Sequence, residues 1–199
     1  MALSPLPAKL SRYAPGALLI AFFLFWSFLF LASSPDQIIA YVGVENAYLL
    51  IFVLALIGGL TTFSGVPYHL VLVTLAVGGL NPLLLGVVTA CGVMLGDSTS
   101  YFIGYQGALL IPKRMHAMAE RFFSVKERYP RLLPVLFFIY GSSVPFSNDI
   151  ITIPMGFLRY PFWRVMLPLG LGNLVFNVTL AFLAIYAYGA LATLPFLGR

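Results

Sequence analysis

The sequence predicts an all-α integral membrane protein: an inverted repeat of a re-entrant helical hairpin plus a transmembrane helix, preceded by an N-terminal transmembrane helix. Three observations predict it. Of 199 residues, 61% are hydrophobic and only 9% charged, with a mean hydropathy of +0.98, where soluble domains carry roughly 25% charged residues. The charges gather in short segments between long apolar runs, and a proline-bearing polar pattern occurs on both sides of the most basic of these segments. A soluble globule of this composition would expose apolar patches and aggregate, and a disordered chain needs the opposite balance. The excess of 11 Lys+Arg over 6 Asp+Glu lies in loops, where it acts on headgroups and topology, so no nucleic acid is expected as a partner. One cysteine, Cys91, lies in an apolar run and builds neither a disulfide framework nor a thiolate cluster.

Residues 1–36 form a tail and the first span. Lys9 and Arg12 precede the 23 uncharged residues Tyr13 to Pro35, too long for a signal-peptide core and matched to a span of about 20 residues that starts in the cytoplasm. Repeat 1 covers 37–111, with a hairpin at 49–80 and a helix at 83–111, and Asp97 is its only formal charge beyond Leu49. Residues 112–131 carry Lys113, Arg114, Arg121, Lys126, Arg128 and Arg131, and read as a cytoplasmic amphipathic segment under the positive-inside rule. Repeat 2 covers 132–191, with a hairpin at 132–158 and a helix at 165–191, and 192–199 form a tail. Residues 64–69 read Ser-Gly-Val-Pro-Tyr-His and 142–147 read Ser-Ser-Val-Pro-Phe-Ser, and a glycine stands eleven residues beyond each proline, Gly78 and Gly156. Re-entrant hairpins keep every basic loop cytoplasmic and give the two repeats opposite orientations, the plan of secondary transporters with a midplane site.

The polar residues inside these apolar runs are the site candidates. An unpaired carboxylate at mid-bilayer costs about 2.5 to 3.5 kcal/mol on insertion scales, so Asp97 is expected to face a cavity and exchange a proton or hold an ion, or else to be a hydrogen-bonded packing residue. Asp149 follows Ser142, Ser143, Pro145, Ser147 and Asn148, a hydroxyl- and amide-rich run unlike any lipid-facing sequence and expected to bind substrate; Asp149 itself is either the coupling carboxylate or part of a helix cap. His69, beside Pro67 and Tyr68, occupies the position matching Ser147 and titrates near physiological pH or makes a static hydrogen bond. With no second histidine nearby it builds no metal site. Thr61, Thr62 and Ser64 return hydrogen bonds to the broken backbone or bind substrate, and Asn173 and Asn177, four apart, line the cavity or bond a neighbouring helix. No cofactor is expected.

Gly96-Asp97 with Tyr101, Gly104 and Gly107 after one proline hairpin, then Pro145 and Gly156 in the next, resembles the DedA family, also called the SNARE-associated Golgi or VTT-domain family, over roughly residues 45–190. The resemblance implies paired re-entrant hairpins and proton-coupled translocation of lipids, in bacteria phospholipids or polyprenyl-phosphate carriers. Tyr101 in this pattern, with Pro67 of the first hairpin, is expected to help bind the substrate. The family's hairpin arginines are replaced here by Ser142 and Asn148, and its first-hairpin acids by Thr61 and His69. Arginine suits phosphate through bidentate bonds, so the loss argues against a phosphate-bearing substrate.

The expected function is therefore a membrane transporter or lipid translocase of the bacterial inner membrane, with lipids and protons as partners; the small number of spans favours a homodimer. A non-transporting scaffold is the rival. An intramembrane aspartyl protease fits poorly, because Met94-Leu95-Gly96-Asp97 lacks a Gly-x-Gly-Asp element, and no enzymatic activity is expected.

Overall fold

The computed structural model describes residues 20–22, 24, 25, 28, 33–60, 67–107, 128 and 132–192. The expected N-terminal span, the basic 112–131 segment and the C-terminal tail therefore lie almost wholly outside the described residues, as do Thr61, Thr62 and Ser64.

Every described element is an α-helix. Helix α1 (Pro35–Val42) opens with proline in its first turn, where the missing N–H costs nothing, and the Ser34 N–H donates to the Gln37 side chain at 3.1 Å. Gly43, at φ +82°, stops it, and α2 (Val44–Leu60) leaves at 97° to α1. The first hairpin thus begins five residues earlier than the apolar run at Leu49 suggests, because the positive φ that turns the chain falls on Gly43. Helix α3 (Tyr68–Val77) follows residues 61–67. Helix α4 (Pro82–Gly107) is capped by Asn81, whose side-chain oxygen accepts from the N–H groups of Leu83 and Leu84 at 3.0 and 3.1 Å. Helices α5 (Leu132–Ser143), α6 (Asp149–Phe157) and α7 (Phe162–Ala192) complete the described chain, α7 starting directly after Pro161 rather than at Val165.

Length sorts these helices. Among the described residues only α4, of 26 residues, and α7 are long and apolar enough on their own to cross a membrane, and the bent pair α1–α2 is a third candidate. Helices α3, α5 and α6, of 10, 12 and 9 residues, rise only about 14 to 18 Å, half of the roughly 30 Å hydrocarbon core.

The packing contacts set the directions. Gly92 lies against Phe52 to Leu56 and Gly96 against Leu56 to Gly59, so α2 runs parallel to α4. Leu133 and Phe137 share a buried cluster with Val165, Met166 and Leu169, and Gly141 lies against Leu169 and Asn173, so α5 runs parallel to α7. Gly86 meets Val178 and Gly170 meets Met94, so α4 and α7 are antiparallel. The second arms cross over. Helix α6 packs on α4, where Gly104 touches the Ile153 backbone and Gly156 the backbone of Tyr101 and Tyr105. Helix α3 packs on α7, with Val71, Leu72 and Leu75 in one core with Ala181. Each long helix is thus flanked by the first arm of the hairpin before it and the second arm of the other.

The turns after α3 and α6 repeat atom for atom. Gly78 N–H donates to Thr74 O and Leu80 N–H to Leu75 O at 2.9 and 3.2 Å; Leu158 N–H donates to Pro154 O and Tyr160 N–H to Met155 O, both at 3.0 Å. The middle residue of each turn has positive φ, +96° at Gly79 and +49° at Arg159. These counterparts stand 80 residues apart, not the 78 that aligning Pro67 with Pro145 suggests, and in this register His69 corresponds to Asp149 rather than to Ser147.

Candidate functional site

Two carboxylates and a broken helix meet in the interior. Asp97 projects from the middle of α4 and is 2% exposed, and Asp149 opens α6 and is 5% exposed. Between α5 and α6, residues 144–148 belong to neither helix. Pro145 has no N–H to offer Gly141, so the helix ladder fails there, and Val144, which donates to Tyr140 O at 2.9 Å, is the last donor of α5. Backbone bonding resumes at Ile150, whose N–H points to Ser147 O at 3.4 Å.

Asn148 ties the break to α4. Its amide Nδ2 donates to Asp97 Oδ2 at 2.7 Å, and both groups are buried. Asn148 stands at the N-cap position of α6 yet makes no side-chain cap bond there: its backbone is already helical, at φ −66° and ψ −12°, and its side chain reaches across to Asp97 instead. Asp149 is held by the preceding turn: Ser147 Oγ donates to Asp149 Oδ2 at 2.6 Å, and Ser147 Oγ accepts from the Asp149 N–H at 3.3 Å. The other carboxylate oxygen, Asp149 Oδ1, is buried without a hydrogen-bond partner, and so is Thr152 Oγ1 one turn further along α6. Tyr140 closes the break from the α5 side, its hydroxyl donating to Ser147 O at 3.0 Å. Asp97 and Asp149 lie within electrostatic reach of one another and of Tyr140, and Asp97 also of Tyr68.

The other expected residues separate. Ser142 is partly buried and Ser143 exposed, their hydroxyls 3.4 Å apart, and Pro145 and Ser147 are exposed at the mouth of the break. Pro67 and His69 sit at the start of α3, on the α7 side. The His69 ring lies 3.9 Å from that of Tyr68 and meets the Phe176 edge at 5.6 Å, so it is part of an aromatic cluster. Asn177 donates to the Asn173 carbonyl of its own helix at 2.8 Å, leaving Asn177 Oδ1 and Asn173 Nδ2 buried without partners. Tyr101 is 3% exposed and its hydroxyl donates to the Tyr160 carbonyl, so its polar group is spent on pinning α4 to the turn after α6. Ser98 and Thr99 likewise bond back to carbonyls of α4, each at 2.7 Å.

The Gly96, Gly104 and Gly107 spacing acquires a steric cause. A Cβ at Gly96 would strike the backbone of Gly59, one at Gly104 the carbonyl of Ile153, and one at Gly107 would press on the Phe157 ring at 3.1 Å. The glycines seat α2 and α6 on α4 on either side of Asp97 and so place Asn148 beside it.

Sequence reasoning did not find the Asn148–Asp97 bond, the part of Tyr140, or Thr152. The signal for Thr152 was its spacing of three from Asp149, which puts both on one face of a helix. Among the described residues no three His, Cys, Asp or Glu side chains gather as metal ligands; the free donors at the break are oxygens. Comparison with protein-family models, with curated proteins and with solved structures gives no match to this chain.

Proposed function

We propose that this chain is a DedA-like membrane transporter or lipid translocase built as an inverted repeat in the 80-residue register, with Asp149 taking up the coupling cation, proton or metal, at the broken hairpin and Asp97 positioning that break through Asn148. The observation that carries the reading is the buried pair of carboxylates bracketing a helix break, tied together by Asn148. Buried charge at membrane depth is costly and marks ion or substrate pathways, and non-helical backbone there persists only beside protein or a wet cavity.

The antiparallel α4 and α7, the crossed second arms and the matching turns support inverted repeats, in which half-helix ends meet near the midplane. The short arms support re-entrant hairpins over full spans. No lysine or arginine stands within residues 132–158, which favours a neutral or cationic polar group over a phosphate at this break. A bacterial inner membrane fits the composition.

The test is exchange of labelled lipids and polar solutes in proteoliposomes holding the purified chain, with and without an ion gradient, beside Asp149→Asn. Gradient-dependent flux lost in the variant supports the reading. Flux no greater than in empty liposomes, from protein shown to be folded, replaces it with the scaffold reading.

A further inference from the structure

The break between α5 and α6 leaves more unpaired oxygen than a proton would need. Asp149 Oδ1 and Thr152 Oγ1 are both buried and unpartnered, and Thr152 is fully buried. Three residues apart on α6, they share a face, and the backward tilt of helical Cβ atoms leans Thr152 toward Asp149 and the break. The α5 carbonyls add to this set: Pro145 supplies no N–H to Gly141 O, and Phe146 donates no backbone bond to Ser142 O. These carbonyls lie at the negative end of α5, and the Tyr140–Ser147 bond at 3.0 Å draws that end against the start of α6. No cationic side chain lies within residues 132–158 to neutralise them.

We propose that this break is a sodium-ion site, formed by Asp149 Oδ1, Thr152 Oγ1 and the last carbonyl oxygens of α5. Hard oxygen donors on unwound backbone and helix C-terminal ends are the chemistry that holds such an ion at membrane depth. One carboxylate among neutral oxygens balances a single positive charge, whereas a divalent ion asks for more charge than Asp149 provides. Asp97, already bonded to Asn148, holds the start of α6 in place. The proposal rests on reading the break as the ion site of a transporter, but binding and flux are measured apart.

The test uses the full chain in nanodiscs, thermally unfolded in increasing NaCl with choline chloride holding ionic strength constant, and repeated with KCl. Sodium is expected to raise the unfolding temperature saturably, by roughly 5–10 °C at a hundredfold excess over Kd. Asp149→Asn and the near-isosteric Thr152→Val should lose most of that rise, and radiolabelled sodium binding, measured on variants that elute as folded protein, should fall with it. An unfolding temperature indifferent to sodium, an equal response to potassium, or a full response in Thr152→Val would overturn the proposal. A sodium-insensitive protein whose unfolding temperature follows pH in the wild type and not in Asp149→Asn would overturn it in favour of a proton. Sodium binding without any flux upholds the site and removes the transporter reading instead.

Discussion

Replacing Gly92 by alanine places a methyl carbon 2.6 Å from the carbonyl oxygen of Phe52 and 3.0 Å from the Ala55 side chain, and the same change at Gly172 places one 2.5 Å from the Phe138 carbonyl and 2.9 Å from Ser142 N. Ordinary contact begins at 3.4 Å, so each helix pair must part by roughly 0.8 Å. The obstacle is helix backbone, which cannot rotate aside as a side chain does. Overpacking of this kind costs about 1–3 kcal/mol, against a helix-propensity gain of up to about 1 kcal/mol for Gly→Ala. A net loss of up to about 2 kcal/mol is expected at both positions, read as a fall of up to about 8 °C in unfolding temperature by intrinsic fluorescence. Gly189→Ala is the control: nothing lies within 4 Å of its added methyl, so it gains the propensity term alone and the unfolding temperature rises. If Gly92→Ala and Gly172→Ala also stabilised the protein, α2 and α5 would not lie as close to α4 and α7 as this packing requires. A loss at only one of them would break the equivalence of the two halves.

Gly79 has open space around it but φ +96°, so Gly79→Ala should cost about 1–2 kcal/mol through backbone strain alone, again read by thermal unfolding; no change would deny the left-handed turn. Tyr101→Phe removes a buried donor from the Tyr160 carbonyl and should destabilise by about 1–3 kcal/mol, and a neutral result would mean that water or another group already serves that carbonyl. Asn81 and Arg159 are both exposed and stand in the turns before the two long helices, which the proposed inverted repeat puts on opposite faces. In a Cys91→Ala background, cysteines placed there should react with a membrane-impermeant maleimide from opposite faces, and labelling from the same face would contradict the inverted topology.

The helical fold and the two helices long and apolar enough to cross a membrane were legible in the sequence, because a hydrocarbon solvent demands an unbroken apolar run and internal backbone bonding, and both are written in composition and length. The helix break was legible for a similarly local reason: Pro145 cannot donate, and Ser142 to Asp149 is too polar to face lipid. The register of the two halves was not. Aligning Pro67 with Pro145 matched residue types, whereas the turns after α3 and α6 match by backbone hydrogen bonds and positive φ, which Gly79 and Arg159 satisfy with unlike side chains. The roles of polar residues divided in the same way. Sequence marked Asp97, Asn148 and Asp149 as out of place in lipid. Only the tertiary packing, set by glycines that let α2 and α6 approach α4, decided that Asn148 reaches Asp97 and that Tyr101 spends its hydroxyl on Tyr160. It also decided that Asp149 Oδ1 and Thr152 Oγ1 are left unpaired. A residue's cost of burial is a local property of its chemistry; which partner relieves that cost depends on contacts across some fifty residues of chain, and those exist only once the helices have packed.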